Sequence, residues 1–182
     1  EFLGEKIENQ VWADEDASYE REIEINLDDL FPLVAAPHHV DNVKAVSEVQ
    51  GTKLDMGLIG TCTNGRLEDI RIAAEILAGK KVSPGFQLLV IPASQEIYLQ
   101  ALEEGLLSKL INAGAIVLAA SCGPCLGTGQ GIPADNYTII STANRNFKGR
   151  MGNPKAQIYL ASPACVAMSA LMGEITLSLI HI

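Results

Sequence analysis

Among the 182 residues of this chain, four cysteines are the side chains best suited to chemistry: Cys62, Cys122, Cys125 and Cys165. The chain is neither short nor dense in cysteine, so a disulfide framework is not expected, and thiols in a reducing cytosol serve metals or redox chemistry instead. Cys62 lies in Gly60-Thr61-Cys62-Thr63-Asn64, and Cys122 and Cys125 lie in Ser121-Cys122-Gly123-Pro124-Cys125-Leu126-Gly127. A redox cluster is better ligated by four cysteines, whereas three thiolates suit an iron–sulfur cluster with one iron left free as a Lewis acid. The glycines and Pro124 keep side chains clear of a bulky group, and such loops turn backbone N–H groups towards anionic sulfurs. Spacing alone leaves zinc and thiol-redox readings open, because a Cys-x-x-Cys pair is common to all of these. Cys165 stands apart, surrounded by Ala164, Val166 and Ala167 in a helical pattern. It reads as an inert, packed thiol.

A second group of residues brings cations to an otherwise acidic chain. Ser141-Thr142-Ala143-Asn144-Arg145-Asn146-Phe147-Lys148-Gly149-Arg150 carries Arg145 and Arg150. Guanidinium forks match carboxylates bidentately, and Asn144 can donate to a hydroxyl or carboxylate oxygen. A solvated basic turn is the plain alternative. Proximity to the cysteine loops would make it a site for a di- or tricarboxylate.

The elements that must position these residues follow from the apolar pattern. Short apolar runs occur at residues 56–60, 87–91, 115–119, 137–140 and 158–160. Near-continuous runs of this kind suit strands buried on both faces of a parallel sheet. Helical patterns alternate with them. One spans residues 67–78, with Glu68 and Asp69 in its first turn and Gly79 beyond its end; one is capped by Ser94 and stops near Gly105; one opens with Ser162-Pro163 and closes at Gly173. Such alternation predicts a three-layer α/β domain with a mainly parallel sheet flanked by helices. Ligands in open α/β sheets bind outside the carboxyl ends of the strands. Each of Cys62, Cys122, Cys125 and the arginine segment follows a predicted strand, so all are expected at that edge.

Composition excludes other classes. Apolar residues make up 48% and charged residues 19%, a globular rather than disordered balance. A net charge of −9 disfavours nucleic-acid partners, and no apolar run is long enough to predict a membrane span. Residues 1–50 read as an irregular, carboxylate-rich lead-in from a preceding domain, with one edge strand at Glu22-Ile23-Glu24-Ile25. The pair His38-His39 falls in this lead-in and is expected to play a surface or interdomain role. Residues 51–176 read as the α/β domain that carries the thiols. The chain opens Glu1-Phe2-Leu3-Gly4 without an initiator Met, and residues 177–182 match a translated sequencing adapter. Both ends are therefore expected to be non-native, a true apolar strand being the alternative for the last six residues.

Taken together, Gly60-Thr61-Cys62-Thr63-Asn64-Gly65-Arg66, Ser121-Cys122-Gly123-Pro124-Cys125-Leu126-Gly127, Asn144-Arg145-Asn146-Phe147-Lys148-Gly149-Arg150-Met151-Gly152 and Leu160-Ala161-Ser162-Pro163-Ala164 resemble the aconitase superfamily in order and spacing. The likeness runs from about residue 20 to residue 176, and its wording is most similar to 3-isopropylmalate dehydratase large subunits, the archaeal-type branch with homoaconitases included. The resemblance implies a 4Fe-4S cluster held by Cys62, Cys122 and Cys125, with Asn144, Arg145 and Arg150 touching cluster or substrate. It implies a cytoplasmic hydro-lyase that isomerises a 2-hydroxy di- or tricarboxylic acid, foremost 2-isopropylmalate in leucine biosynthesis, with homocitrate or citrate as alternatives. It also implies partners: a small subunit and large-subunit domains that supply the acid, the base and a further arginine. The loop from Gly127 to Asn136 is short beside its relatives. An RNA-binding relative of the iron-regulatory kind shares the fold, but the acidity and the closer wording favour a dehydratase.

Overall fold

The structure, a computed structural model, describes residues 11–177. Of the tail expected at residues 177–182, only Leu177 lies among the described residues, and it packs against the core. The chain divides into two units, residues 1–30 and residues 31–182. In the first unit the only regular element among the described residues is a single 3-10 turn, Leu27–Asp29, capped by the Asn26 side chain. The alternating segment Glu22-Ile23-Glu24-Ile25, expected as an edge strand, is irregular, and Ile23 and Ile25 are exposed. Alternation specifies a strand only where a neighbouring edge supplies hydrogen bonds and buries the apolar face. Among the described residues no strand pairs with this segment.

In the second unit, β1 (Leu33–Ala35) and β2 (Val43–Ala45) form a hairpin followed by the one-turn helix α1 (Val46–Val49). β3 (Met56–Gly60) leads through the one-turn helix α2 (Thr61–Asn64) to α3 (Leu67–Leu77). β4 (Gln87–Ile91) is followed by α4 (Gln95–Glu103) and α5 (Leu106–Ala113). β5 (Ile116–Val117) is followed by a 3-10 turn (Gly123–Leu126), and β6 (Thr138–Ser141), β7 (Gln157–Leu160) and α6 (Pro163–Met172) complete the unit. The helices start where the capping residues dictate. Asp69 accepts the Arg66 N–H ahead of α3, Ser94 Oγ accepts the Ile97 N–H in α4, and Ser162 Oγ accepts the Cys165 N–H in α6. Among the described residues no helix is long and apolar enough to cross a membrane.

The strands form one seven-stranded sheet in the order β2-β1-β7-β6-β3-β4-β5. β3 to β7 are mutually parallel, and β1 runs antiparallel to β2 and β7. This is the expected α/β sheet, extended by the β1–β2 hairpin out of the stretch expected to be irregular. All five residues of β3 are buried, which explains its unbroken apolar run.

The two faces of the sheet are covered differently. On one, Ile70, Leu107, Ala164 and Cys165 of the helices pack against Ile59, Leu88, Val90 and Ile140. On the other, Met56, Leu58, Leu89, Ile91, Ile139 and Ile158 pack beneath Cys125, Ala143 and Met151. The layer on that second face is built from the segments after β5 and β6, and no α-helical residue contributes to its buried cluster. These segments are the ones that carry Cys122, Cys125 and the arginines.

Candidate functional site

β3 and β6 are adjacent and parallel, yet the chain leaves β3 towards β4 on one side and returns through β6 on the other. A reversal of this kind opens a crevice at the carboxyl ends of the strands. Cys62 lies in α2 just beyond β3 and is exposed. Cys122 precedes the 3-10 turn after β5 and is exposed, while Cys125 within that turn is buried. Residues 144–150 follow β6. The topology therefore delivers all three segments to one edge, as the strand–helix alternation predicts. Among the described residues no three His, Cys, Asp or Glu side chains lie close enough to hold a single metal ion.

Two local features shape the crevice. Gly60, at φ 117°, has its Cα pressed against β4, and a Cβ built there would lie 2.0 Å from the Ile91 carbonyl oxygen. No other residue type tolerates that approach. Further out, a Cβ on Gly127 would lie 2.7 Å from the Gly152 nitrogen, so the end of the cysteine turn rests directly on the backbone beyond Arg150. This contact joins the cysteine loop to the arginine segment. Across it, Arg150 Nη2 donates to Cys125 Sγ at 3.6 Å. The Arg150 guanidinium also lies 5.8 Å from the Phe147 ring centroid, within range of a cation–π contact. Its Nε is buried and has no partner.

Arg145 and Asn144 are exposed, and Arg145 Nη1 donates to the Asn144 carbonyl at 2.6 Å. Of the two arginines, Arg150 touches a thiol and Arg145 faces solvent. Cys165 is separated from Cys125 by the sheet, since the two belong to the buried clusters of opposite faces. Its thiol donates to the Thr176 carbonyl at 3.5 Å, and burial pushes its pKa up to about 11. It is a packed thiol, as its apolar neighbours predict. His39 sits exposed beside Asp41, and His38 lines a polar cleft of about 360 Å³ with Asn136, Lys148, Pro154, Lys155 and Gln157. That cleft contains none of the thiols.

The structure gives roles to three residues that the motifs contain without singling them out. Thr142 and Asn64 link the Cys62 turn to β6: the Gly60 N–H donates to Thr142 Oγ1 at 2.8 Å, and Asn64 Nδ2 donates to the Thr142 carbonyl at 2.7 Å. Asn146 is fully buried, and its Nδ2 donates to the carbonyls of Ala36 and Ile158 at 2.8 and 3.2 Å. It thereby ties the arginine segment to the junction of β1 and β7. All three lie inside the cysteine and arginine motifs, but nothing in the local pattern marks which polar side chain there turns inward.

The donor set fits a thiolate-held group. Free cysteine is among the most buried residue types, yet Cys62 and Cys122 are exposed at the same sheet edge. At Cys125 the Arg150 guanidinium donates to the sulfur, so a cation faces the one buried thiol of this edge. The irons of a cluster occupy separate corners, so its thiolates need not converge as the ligands of a single ion must.

Known proteins resemble this chain over most of its length. The profile described as "Aconitase family (aconitate hydratase)" matches residues 43–173. The 3-isopropylmalate dehydratase large subunit 2 of Archaeoglobus fulgidus is 57% identical over 166 residues, covering 91% of this chain and 40% of that protein. The 3-isopropylmalate dehydratase large subunit of Clostridium botulinum strain Alaska E43 is 51% identical over 180 residues, covering 97% and 43%. The methanogen homoaconitase large subunit of Methanocaldococcus jannaschii is 51% identical over 162 residues, covering 89% and 39%. The chain thus spans about two fifths of the length of the curated relatives it matches.

Proposed function

Because this chain belongs to the aconitase family, we propose that it is the cluster-bearing part of a hydro-lyase acting on a 2-hydroxy di- or tricarboxylic acid. The favoured reaction is isomerisation of 2-isopropylmalate to 3-isopropylmalate in leucine biosynthesis, with homocitrate or citrate as alternative substrates. The relatives named for each of the first two activities match this chain comparably well. The cofactor is a 4Fe-4S cluster held by Cys62, Cys122 and Cys125. When bound, it supplies an iron free of protein ligands that serves as a Lewis acid towards the substrate hydroxyl.

The chain's own residues prepare the rest of the site. Arg150 donates to Cys125 Sγ and keeps a buried Nε without a partner. Arg145 and Asn144, both exposed after β6, would orient a substrate carboxylate by hydrogen bonds, charge-assisted from Arg145. The family resemblance implies that the acid and base that move protons come from the remainder of a large subunit and from a small subunit; the relatives' names, as large subunits, support such a partner. Reduced thiols of this kind fit a cytoplasmic location.

The observation that carries this reading is the Arg150 contact with Cys125, with two exposed thiols in segments at the same carboxyl edge of the sheet. Anaerobic reconstitution with iron and sulfide tests it. The chain is expected to turn brown with broad visible absorbance, where zinc binding would leave it colourless. Cys122→Ser is expected to abolish stable assembly, and Cys165→Ser to preserve it. Equal iron and sulfide content in the two variants would refute the ligand assignment.

A further inference from the structure

The turn that carries Cys62 is strained, and the bonds that hold it converge on one residue. Gly60 has φ 117° and Thr61 has φ 63°. A β-branched residue at positive φ is an outlier that persists only where its surroundings over-determine it. Thr61 cannot hold the turn through its own side chain, because its Oγ1 is buried without a partner. The restraint comes from Thr142, which is 1% exposed. Its N–H donates to the Leu58 carbonyl at 2.9 Å, its Oγ1 accepts the Gly60 N–H at 2.8 Å, and its carbonyl accepts Asn64 Nδ2 at 2.7 Å. These bonds reach the chain on both sides of Cys62. Thr142 also opens the segment that leads to Asn144, Arg145 and Arg150.

We propose that Thr142 is a positioning residue whose hydroxyl sets the Cys62 turn in register with the arginine segment, and so determines how firmly Cys62 grips the cluster. This rests on the cluster assignment above. Hydrogen bonds that orient a ligand from outside the coordination sphere are worth about 10–100-fold in metal affinity. The Gly60–Thr142 bond acts on the backbone of the ligand turn, where relaxation of the strain would displace the thiolate.

The test uses Thr142→Val, which keeps the shape and removes the acceptor, and Thr142→Ser, which restores it. Ser169→Ala is the matched control. Ser169 is fully buried in α6, on the helical face, and its Oγ likewise accepts one backbone N–H, that of Thr176, at 3.0 Å. Each chain is reconstituted anaerobically, and iron release to a chelator is followed together with the visible circular dichroism of the cluster. Thr142→Val is expected to release iron about 10–100-fold faster than the parent, with an altered dichroism spectrum. Thr142→Ser and Ser169→Ala are expected to keep the parent's rate and spectrum. Release from Thr142→Val at the parent's rate would overturn the proposal, as would equal acceleration in Ser169→Ala, which would mark a general loss of stability. Should Thr142→Val fail to fold, Asn64→Ala removes only the bond to the Thr142 carbonyl; faster release supports the proposal and a parental rate overturns it. A parent chain that assembles no cluster would refute the cluster assignment itself, an outcome distinct from any change confined to the Thr142 variants.

Discussion

Burial divides the thiols into two kinds, with Cys62 and Cys122 exposed and Cys125 and Cys165 buried. In the cluster-free chain, iodoacetamide at about pH 8 is expected to modify Cys62 and Cys122 first and Cys165 last, since only an accessible thiolate reacts. Peptide mass mapping checks this, and modification of Cys165 as fast as Cys62 would contradict the packing of α6. Burial raises the Cys165 pKa from 9.0 to about 11, because the core disfavours the charged form. The neutral thiol is therefore the form the fold prefers. Its contribution is fully present below pH 9.0 and is lost as pH rises through about 11. Cys165→Ala has no such thiol to ionise. The stability gap between parent and variant, read from urea midpoints, is expected to narrow over that range, and a constant gap would rule the effect out.

At the scale of elements, the turn between β3 and α2 depends on how closely β3 and β4 approach. Their register pairs Gly60 with Ile91, and a Cβ at Gly60 would overlap the Ile91 carbonyl oxygen at 2.0 Å. Gly60→Ala adds a positive-φ penalty to an overpacking penalty, together about 2–6 kcal/mol. Urea denaturation is the measurement, and a loss below about 1 kcal/mol would show that the strands separate without cost. The helices answer to simpler rules. Ser94 caps α4 through its Oγ, so Ser94→Ala is expected to cost about 1 kcal/mol without altering cluster content, because α4 lies outside the thiol-bearing loops.

For the molecule as a whole, the length of chain sets what it can do alone. It spans about two fifths of its curated relatives. In the proposed reaction the cluster and arginines would supply Lewis acidity and carboxylate binding, but a positioned acid and base each contribute about 10²–10⁴-fold to such a reaction. The reconstituted chain by itself is expected not to turn over 2-isopropylmalate, and adding the remaining large-subunit domains and the small subunit is expected to restore the reaction. Absorbance of the unsaturated intermediate under anaerobic conditions reports the difference. Robust turnover by this chain alone would mean that its acid–base groups had been assigned to the wrong part of the protein.

What the sequence determined by itself is local or strictly alternating. β3 and β4 were legible to the residue, as Met56–Gly60 and Gln87–Ile91, because strands buried on both faces leave unbroken apolar runs. α3, α4 and α6 were legible through Asp69, Ser94 and Ser162-Pro163, whose side chains satisfy N–H groups within a few residues. Strand–helix alternation likewise sent Cys62, Cys122, Cys125 and Arg150 to the carboxyl edge. Three-residue strands carry no readable period, so β1 and β2 were hidden in an apparently irregular lead-in, and the apolar run at residues 115–119 forms only the two-residue β5. α5 lies between Gly105 and Gly114 with no side-chain cap to announce it. The neighbours of β3, the rest of Arg150 on Cys125 and the bonds from Thr142 to Leu58, Gly60 and Asn64 were decided by the tertiary structure alone. Each joins segments far apart in the chain, where pairing depends on which surfaces fit and no short-range pattern records the choice.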